Sequence, residues 1–259
     1  MPAPASTLLR NAPHRPAPTL DLGAGASLRL GRLHEACGNA RRTLALRLAA
    51  RIGVTPQRPL FWIAPAWSPD RLNGDGMARF LSPAAVIFVH AVRAEDILWT
   101  AEEVLRAGAA PMMVADLPGL PSLTAVRRMH LAAETGAEGG RVLPLGLILT
   151  EGAGGAPGVE SRWRMDAAHP PCPGDSAPEG EAWRLERLRA RTDPPRIWRV
   201  AGGRLEVVTG DDGGPSPGLP ELAEGTPASR RMAGSAENRP PFTAASGTGA
   251  QPPVSVGRA

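Results

Sequence analysis

The chain has 259 residues, 29 of them basic and 25 acidic, for a formal net charge of +4. All of that basic charge is arginine, since the sequence holds no lysine. The length suits one domain with tails, and a domain of about 150 residues buries enough surface to need no disulfide or metal staple. Cys37 and Cys172 form no CxxC or Cys/His cluster, so a disulfide scaffold and a zinc centre are excluded, and a reduced, cytoplasmic protein is expected. No apolar run nears the roughly 20 residues of a membrane span, so no membrane partner is expected. The N-terminus lacks the apolar core of a signal peptide.

Residues 1–27 are rich in Pro and Ala without periodicity and read as a flexible arm. Leu30 to Cys37 reads as the first strand, Gly38-Asn39-Ala40 as a turn, and Arg41 to Ile52 as an amphipathic helix ended by Gly53. Strand, glycine turn and helix is the setting of a phosphate-binding loop. Such a loop needs two glycines with four residues between them, then lysine and a hydroxyl: the backbone cradles phosphate, lysine reaches its outer oxygens and the hydroxyl holds Mg²⁺. Here Gly38 is the one glycine left, the lysine place falls on Arg41 or Arg42, and Thr43 follows. A simple turn is therefore expected, with weak nucleotide binding as the alternative.

Leu60 to Pro65 is a second buried strand, followed by a loop with a short helix over Gly76 to Leu81 and with Trp67 as a lid on the core first and an exposed aromatic for a partner second. The stretch from Val86 to Asp116 is the strongest signal: a buried strand at Val86–Val89, a helix with Ile97, Leu98, Ala101 and Leu105 on one face, and a buried strand ending at Asp116. Two parallel strands joined by a helix imply a sheet covered on both faces. Trp99, Glu102, Glu103 and Arg106 lie off the core face of that helix, as a solvated face or a partner-docking surface. Ser122 to Thr135 reads as a helix capped by Ser122 and stopped by Gly136, with His130 as a packed or solvated residue. His34, His90 and His130 have no Ser, Cys or carboxylate constellation, so neither a metal site nor a catalytic base is assigned.

A further strand lies within Arg141 to Thr150, and residues 151–158 form a glycine-rich linker. Val159 to Ala167 and Trp183 to Leu188 read as neighbouring strands, with a terminal hairpin over 197–208. Arg162, Trp163 and Arg164, with Trp183, Arg184, Arg187, Arg189 and Arg191, interleave arginine and tryptophan, a composition that can hold phosphates and stack bases. Carboxylates nearly balance these arginines, so a cross-strand ion-paired sheet face is expected first and single-stranded DNA contact second. From Gly210 onward Gly and Pro dominate and periodicity vanishes, so 210–259 reads as a disordered tail.

Gly31-Arg32-Leu33-His34-Glu35, the Leu98 to Ala109 helix end, Ser161-Arg162-Trp163-Arg164 and the Trp183 to Arg191 run occur in an order that resembles the ImuA family, RecA-related accessory proteins of SOS mutagenesis. The resemblance covers roughly residues 20–208. It implies a RecA-like α/β domain over 28–209, with a mainly parallel twisted sheet flanked by helices. In that comparison Asp116 matches the acid that holds Mg²⁺ through water, and Thr43 to Leu46 matches the helix after the phosphate loop. The strand at Leu60–Pro65 lacks the glutamate that orients water in RecA-like ATPases. The resemblance therefore implies a non-enzymatic accessory protein in damage-induced translesion synthesis, without metal or cofactor. Its implied partners are an ImuB-like inactive Y-family polymerase homologue and an error-prone polymerase III alpha-type subunit. The alternatives are a degenerate RecA-like ATPase, a single-stranded DNA-binding protein, or a cell-division inhibitor of the SulA type.

Overall fold

The computed structural model describes residues 18–140, 142–168 and 182–208. A hairpin of β1 (Thr19–Gly23) and β2 (Ala26–Arg29) comes first, followed by β3 (Arg32–Cys37) and helix α1 (Arg41–Ile52). Strand β4 (Leu60–Pro65), the short helix α2 (Gly74–Ala78), edge strand β5 (Val86–Ala91), helix α3 (Ala94–Ala107) and strand β6 (Met112–Asp116) follow. Helix α4 (Leu123–Gly139) leads to β7 (Leu145–Leu149), β8 (Ser161–Ala167), β9 (Ala182–Ala190), β10 (Arg196–Ala201) and β11 (Arg204–Val207).

Nine of these strands form one sheet in the order β11-β10-β9-β8-β3-β7-β6-β4-β5. The pairs from β8 through β5 are parallel, and those from β8 through β11 are antiparallel. The protein thus has the α/β fold expected, a mainly parallel sheet flanked by helices. One core lies between the sheet, α1 and the β1–β2 hairpin, around Leu44, Leu48, Trp62, Trp163 and Trp198. The other lies between the sheet, α3 and α4, around Leu33, Ile97, Leu105, Met113 and Ile148.

Local chemistry explains most of the boundaries. Gly53 and Gly108 close α1 and α3 in the left-handed region, at φ of 76° and 55°, where glycine carries no Cβ penalty. Ser122 caps α4 by accepting a hydrogen bond from the Ala125 N–H at 3.2 Å.

Several expectations need correction. Residues 19–27 are not an arm: Ala26 and Leu28 are buried against the first core, so the hairpin has apolar surface to place. Residues 1–17 and the tail from 209 lie outside the described residues. The strand at Val86 is not buried but an edge, with Ile87 and Phe88 exposed, because β4 separates it from β6. The short helix starts at Gly74 rather than Gly76, since the Asn73 side chain accepts from the Asp75 N–H at 2.8 Å and sets its start. Trp67 is 53% exposed and no core lid. Gly136 does not stop α4. It lies inside the helix, where a Cβ would overlap the Leu105 carbonyl, so its lack of a side chain lets α4 cross the end of α3.

Candidate functional site

In an open parallel sheet, ligands bind at the carboxyl ends of the strands, where the loops leave. Here that edge gathers the turn after β3, the start of α1, the end of β6 and the loop after β4. The turn at Gly38–Ala40 has the position of a phosphate cradle, but its amides already have partners. The Gly38 N–H donates to the Gly152 carbonyl at 3.2 Å, Asn39 to Asp166 Oδ1 at 2.8 Å, and Ala40 to the Met165 carbonyl at 2.9 Å. The Arg41 N–H donates to the Gly38 carbonyl at 3.3 Å. The Asp166 carboxylate of β8 thus takes an amide of the turn just ahead of α1. A Cβ on Gly38 would approach the Met165 carbonyl to 2.5 Å, so the turn is pressed against β8.

The arginines that replace lysine are occupied as well. Arg42 donates from Nε to Asp116 Oδ2 at 2.8 Å, and its Nη1 lies 4.0 Å from Asp70 Oδ2. Asp70, the first acid after β4, thus faces the same guanidinium as Asp116. Arg41 reaches back to the Gly38 carbonyl at 3.4 Å and toward Glu151 at 3.6 Å. Thr43 is half-buried one residue on. The remaining cleft, about 170 Å³, is lined by Arg42, Trp62, Asp70, Phe88, His90 and Asp116. Arg71 Nη1 lies 3.1 Å from His90 Nε2 at its mouth. The Arg42–Asp116 pair is the close one, and Asp70 is an exposed second carboxylate at the limit of ion-pair distance. Among the described residues no group of three or more His, Cys, Asp or Glu is placed to hold a metal ion.

The glycine-rich segment 151–158 is an ordered loop, not a flexible linker. The fully buried Glu35 carboxylate draws it in: Oε1 accepts from Thr150 Oγ1 at 2.7 Å, Gly155 N–H at 2.8 Å and Ala156 N–H at 3.0 Å. Arg162 Nε supplies the counter-charge to Oε2, and its Nη2 donates to the Ala156 carbonyl at 3.0 Å. Buried charge is tolerable only when paired and hydrogen-bonded, and here both conditions hold. Nothing local marks Glu35 in the sequence; alternation along β3 would have shown only that it faces the sheet.

Beside it His34 is fully enclosed. Its Nε2 lies 2.8 Å from the Arg29 carbonyl, which can only accept, so Nε2 carries the proton. Nδ1 then accepts from the Ser161 hydroxyl at 2.7 Å, and Ser161 Oγ takes the Trp163 indole N–H at 2.6 Å. Burial pushes the imidazole down to about 4, against a smaller raising effect of the Arg29 carbonyl. His130, on α4, is the packed residue expected. Its Nε2 donates to the Gly158 carbonyl at 3.2 Å and its Nδ1 accepts from the Leu33 N–H at 3.4 Å. Burial lowers its pKa too. Cys37 is buried, and desolvation, then the Glu35 charge, pushes its thiol up to about 11.

The arginine–tryptophan set does not form one surface. Arg187 is 3% exposed, with its guanidinium 5.6 Å from the Trp163 ring centre and 5.3 Å from that of Trp198. It donates to the Pro194 carbonyl at 3.0 Å and is a core residue held by cation–π contacts. Trp163 is buried, and Trp183 is covered by Arg47 at 5.0 Å. Arg164 pairs with Asp166 at 2.6 Å and Arg184 with Glu186 at 2.5 Å, each pair within one strand rather than across strands as expected. Arg191 lies 3.5 Å from Glu160, and Arg189 is exposed. A bulge between Arg162 and Trp163 lets β9 carry Arg187 inward and Arg189 outward.

On α3, Trp99 is 62% exposed and Glu103 pairs with Arg106. Glu102 is not on a solvated face. It is 7% exposed and takes Arg106 of its own helix and Arg128 Nη2 of α4, the latter at 2.7 Å. The sequence spacing placed it beside Trp99, but the packing of α4 covers it.

Fold and site together define an α/β protein whose strand-end edge carries the Asn39–Asp166 hydrogen bond and the Arg42–Asp116 ion pair. No known protein family matches the chain, and no curated protein matches it. Among solved structures, SulA from Pseudomonas aeruginosa is similar at 24% identity with a TM-score of 0.34, over 46% of this chain and 98% of that one. A likeness of that size carries no argument about function. No helix among the described residues is long and apolar enough to cross a membrane.

Proposed function

We propose that this protein is a non-catalytic, ImuA-like accessory protein of damage-induced translesion DNA synthesis. In this reading it works in the cytoplasm through protein–protein contacts with an ImuB-like inactive polymerase homologue and an error-prone polymerase III alpha-type subunit. The observation that carries the non-catalytic half is the strand-end edge. The Asn39 amide ahead of α1 is taken by Asp166, and Arg42 pairs with Asp116, with Asp70 at 4.0 Å. Nucleotide would have to displace these contacts, with no lysine to replace them. The accessory half rests on the order of the motifs from Gly31 to Arg191. Trp99, a large aromatic at 62% exposure on α3, is the side chain chosen to test partner contact.

Two measurements test this. The full chain, co-expressed with an ImuB-like protein, is expected to co-purify as a stable complex that Trp99→Ala weakens. Well-folded components that fail to associate would sink the accessory reading. In the second, calorimetric titration with Mg²⁺·ATP is expected to give no saturable binding up to millimolar nucleotide. Saturable binding abolished by Asp116→Ala would replace the proposal with a degenerate ATPase.

A further inference from the structure

Strand β5 ends the parallel half of the sheet, and it pairs with β4 at every position from Leu60↔Val86 to Pro65↔Ala91. Among the described residues no strand pairs with its outer side. An edge strand leaves a row of N–H and C=O groups open to another strand, and folded proteins blunt such edges with charge, proline, a bulge or short length. The opposite edge is blunted in this way: β11 has four residues, and the exposed Arg204 and Glu206 are two of them. β5 has none of these devices. Its six residues, Val-Ile-Phe-Val-His-Ala, include no proline, Asp, Glu or Arg, and its pairing with β4 has no register shift. Ile87 and Phe88 are both exposed, one on each face, since side chains alternate along a strand. Phe88 and His90 share a face, with their rings stacked at 6.2 Å. The Ala66 N–H donates to the Ala91 carbonyl at 2.8 Å, which brings the exposed Trp67 beside the carboxyl end of β5.

We infer that β5 pairs antiparallel with β5 of a second copy of this chain, about a two-fold axis, joining the two nine-stranded sheets into one. An open ladder of backbone groups is matched by a strand and by no other element. A two-fold pairing uses the same edge on both chains and closes on itself, leaving the short, charged β11 edges at the two ends. Residues directly opposite in such a pair lie on the same face, so the axis passes beside one residue of the strand. With Phe88 opposite Phe88, Ile87 meets Val89 and Val86 meets His90. An aromatic pair then stands at the centre with β-branched residues around it, and no like charges face each other. Arg93, the nearest charge after the strand, falls opposite Pro83. A foreign strand would be selected by charges or pockets along the edge. β5 has no Asp, Glu or Arg to do so, whereas its own sequence satisfies the pairing.

The self-pairing goes beyond the accessory reading and does not depend on it. Sedimentation velocity of the full chain over a range of concentrations is expected to show a dimer. Phe88→Lys sets like charges opposite each other across the axis and is expected to weaken the dimer at least about tenfold. Leu131→Lys, at an exposed apolar position on α4 and off the sheet, is expected to leave it unchanged. A crosslink decides the matter should Phe88→Lys fail to fold. Opposite residues of an antiparallel pair stand about 4.5–5.5 Å apart at Cα, within disulfide reach. Phe88→Cys with Cys172→Ser is therefore expected to form a disulfide-linked dimer on mild oxidation, and Leu131→Cys with Cys172→Ser is not. A monomer at every concentration, growth past the dimer, or a dimer that resists a folded Phe88→Lys or gives no Phe88→Cys crosslink overturns the inference. A monomer leaves the co-purification result standing, and failed co-purification leaves the dimer standing, so the two proposals fail separately.

Discussion

The two halves of the sheet are built differently, and the contrast explains what each can do. From β3 to β4 the strands are parallel and covered on both faces, so β6 and β7 are buried at every position. From β8 to β10 the strands are antiparallel and alternate: Trp163, Met165, Leu185 and Trp198 face the core, and Arg162, Arg164, Arg184, Glu186 and Arg199 face the other way, half-buried or exposed. Both halves meet at the turn after β3, since Asp166, which holds the Asn39 amide, comes from β8. The lesson is that the antiparallel strands supply charge at the strand ends of the parallel half.

The largest test of this view is at the seam, where Glu35 of β3 meets Arg162 of β8. Glu35→Ala strips a fully buried carboxylate from a guanidinium, a hydroxyl and two amides. It is expected to cost about 3–5 kcal/mol, as breaking a buried pair does, read as a lowered urea midpoint. Retention of wild-type stability would mean the halves are not joined there.

Acid probes the same seam through His34. Its native pKa is lowered, so between about 4 and 6.5 the unfolded chain binds more protons than the native one. Stability is therefore full above pH 6.5 and falls as pH drops toward 4. The loss is on the order of 3 kcal/mol at about 1.4 kcal/mol per pH unit. His130, lowered in the same direction, adds to the slope. Denaturation midpoints at pH 7 and pH 4 measure it, and His34→Gln is expected to flatten it in part. An unchanged slope would remove His34 from the account.

Within the parallel half, Gly136→Ala forces a methyl against the Leu105 carbonyl. Overpacking of this kind costs about 1–3 kcal/mol, and thermal melting would show it. The same substitution at the exposed Gly119, where a Cβ meets nothing within 4 Å, is the control. The smallest effect belongs to the outer face of the antiparallel half. Arg184→Ala, which removes a partly exposed pair with Glu186, should change stability by about 0–1 kcal/mol. A larger loss would show that this face is held more tightly than an open sheet surface.

From β3 onward the sequence by itself determined the element types, because periodicity, the glycine stops at Gly53 and Gly108 and the Ser122 cap act within a few residues. It also located the loss of the phosphate loop chemistry at Gly38, Arg41 and Arg42, since a missing lysine needs no coordinates to be seen. Only the tertiary structure decided what meets that turn. Asp166 lies more than a hundred residues from Asn39 and reaches it through the pairing of β3 with β8. The same holds for Glu35, which orders a loop read as a linker, and for Arg187, which reads as surface charge and is a core cation between two indoles. In each case the deciding partner is distant in the chain, and charge burial depends on what the fold brings to the group rather than on its neighbours in sequence.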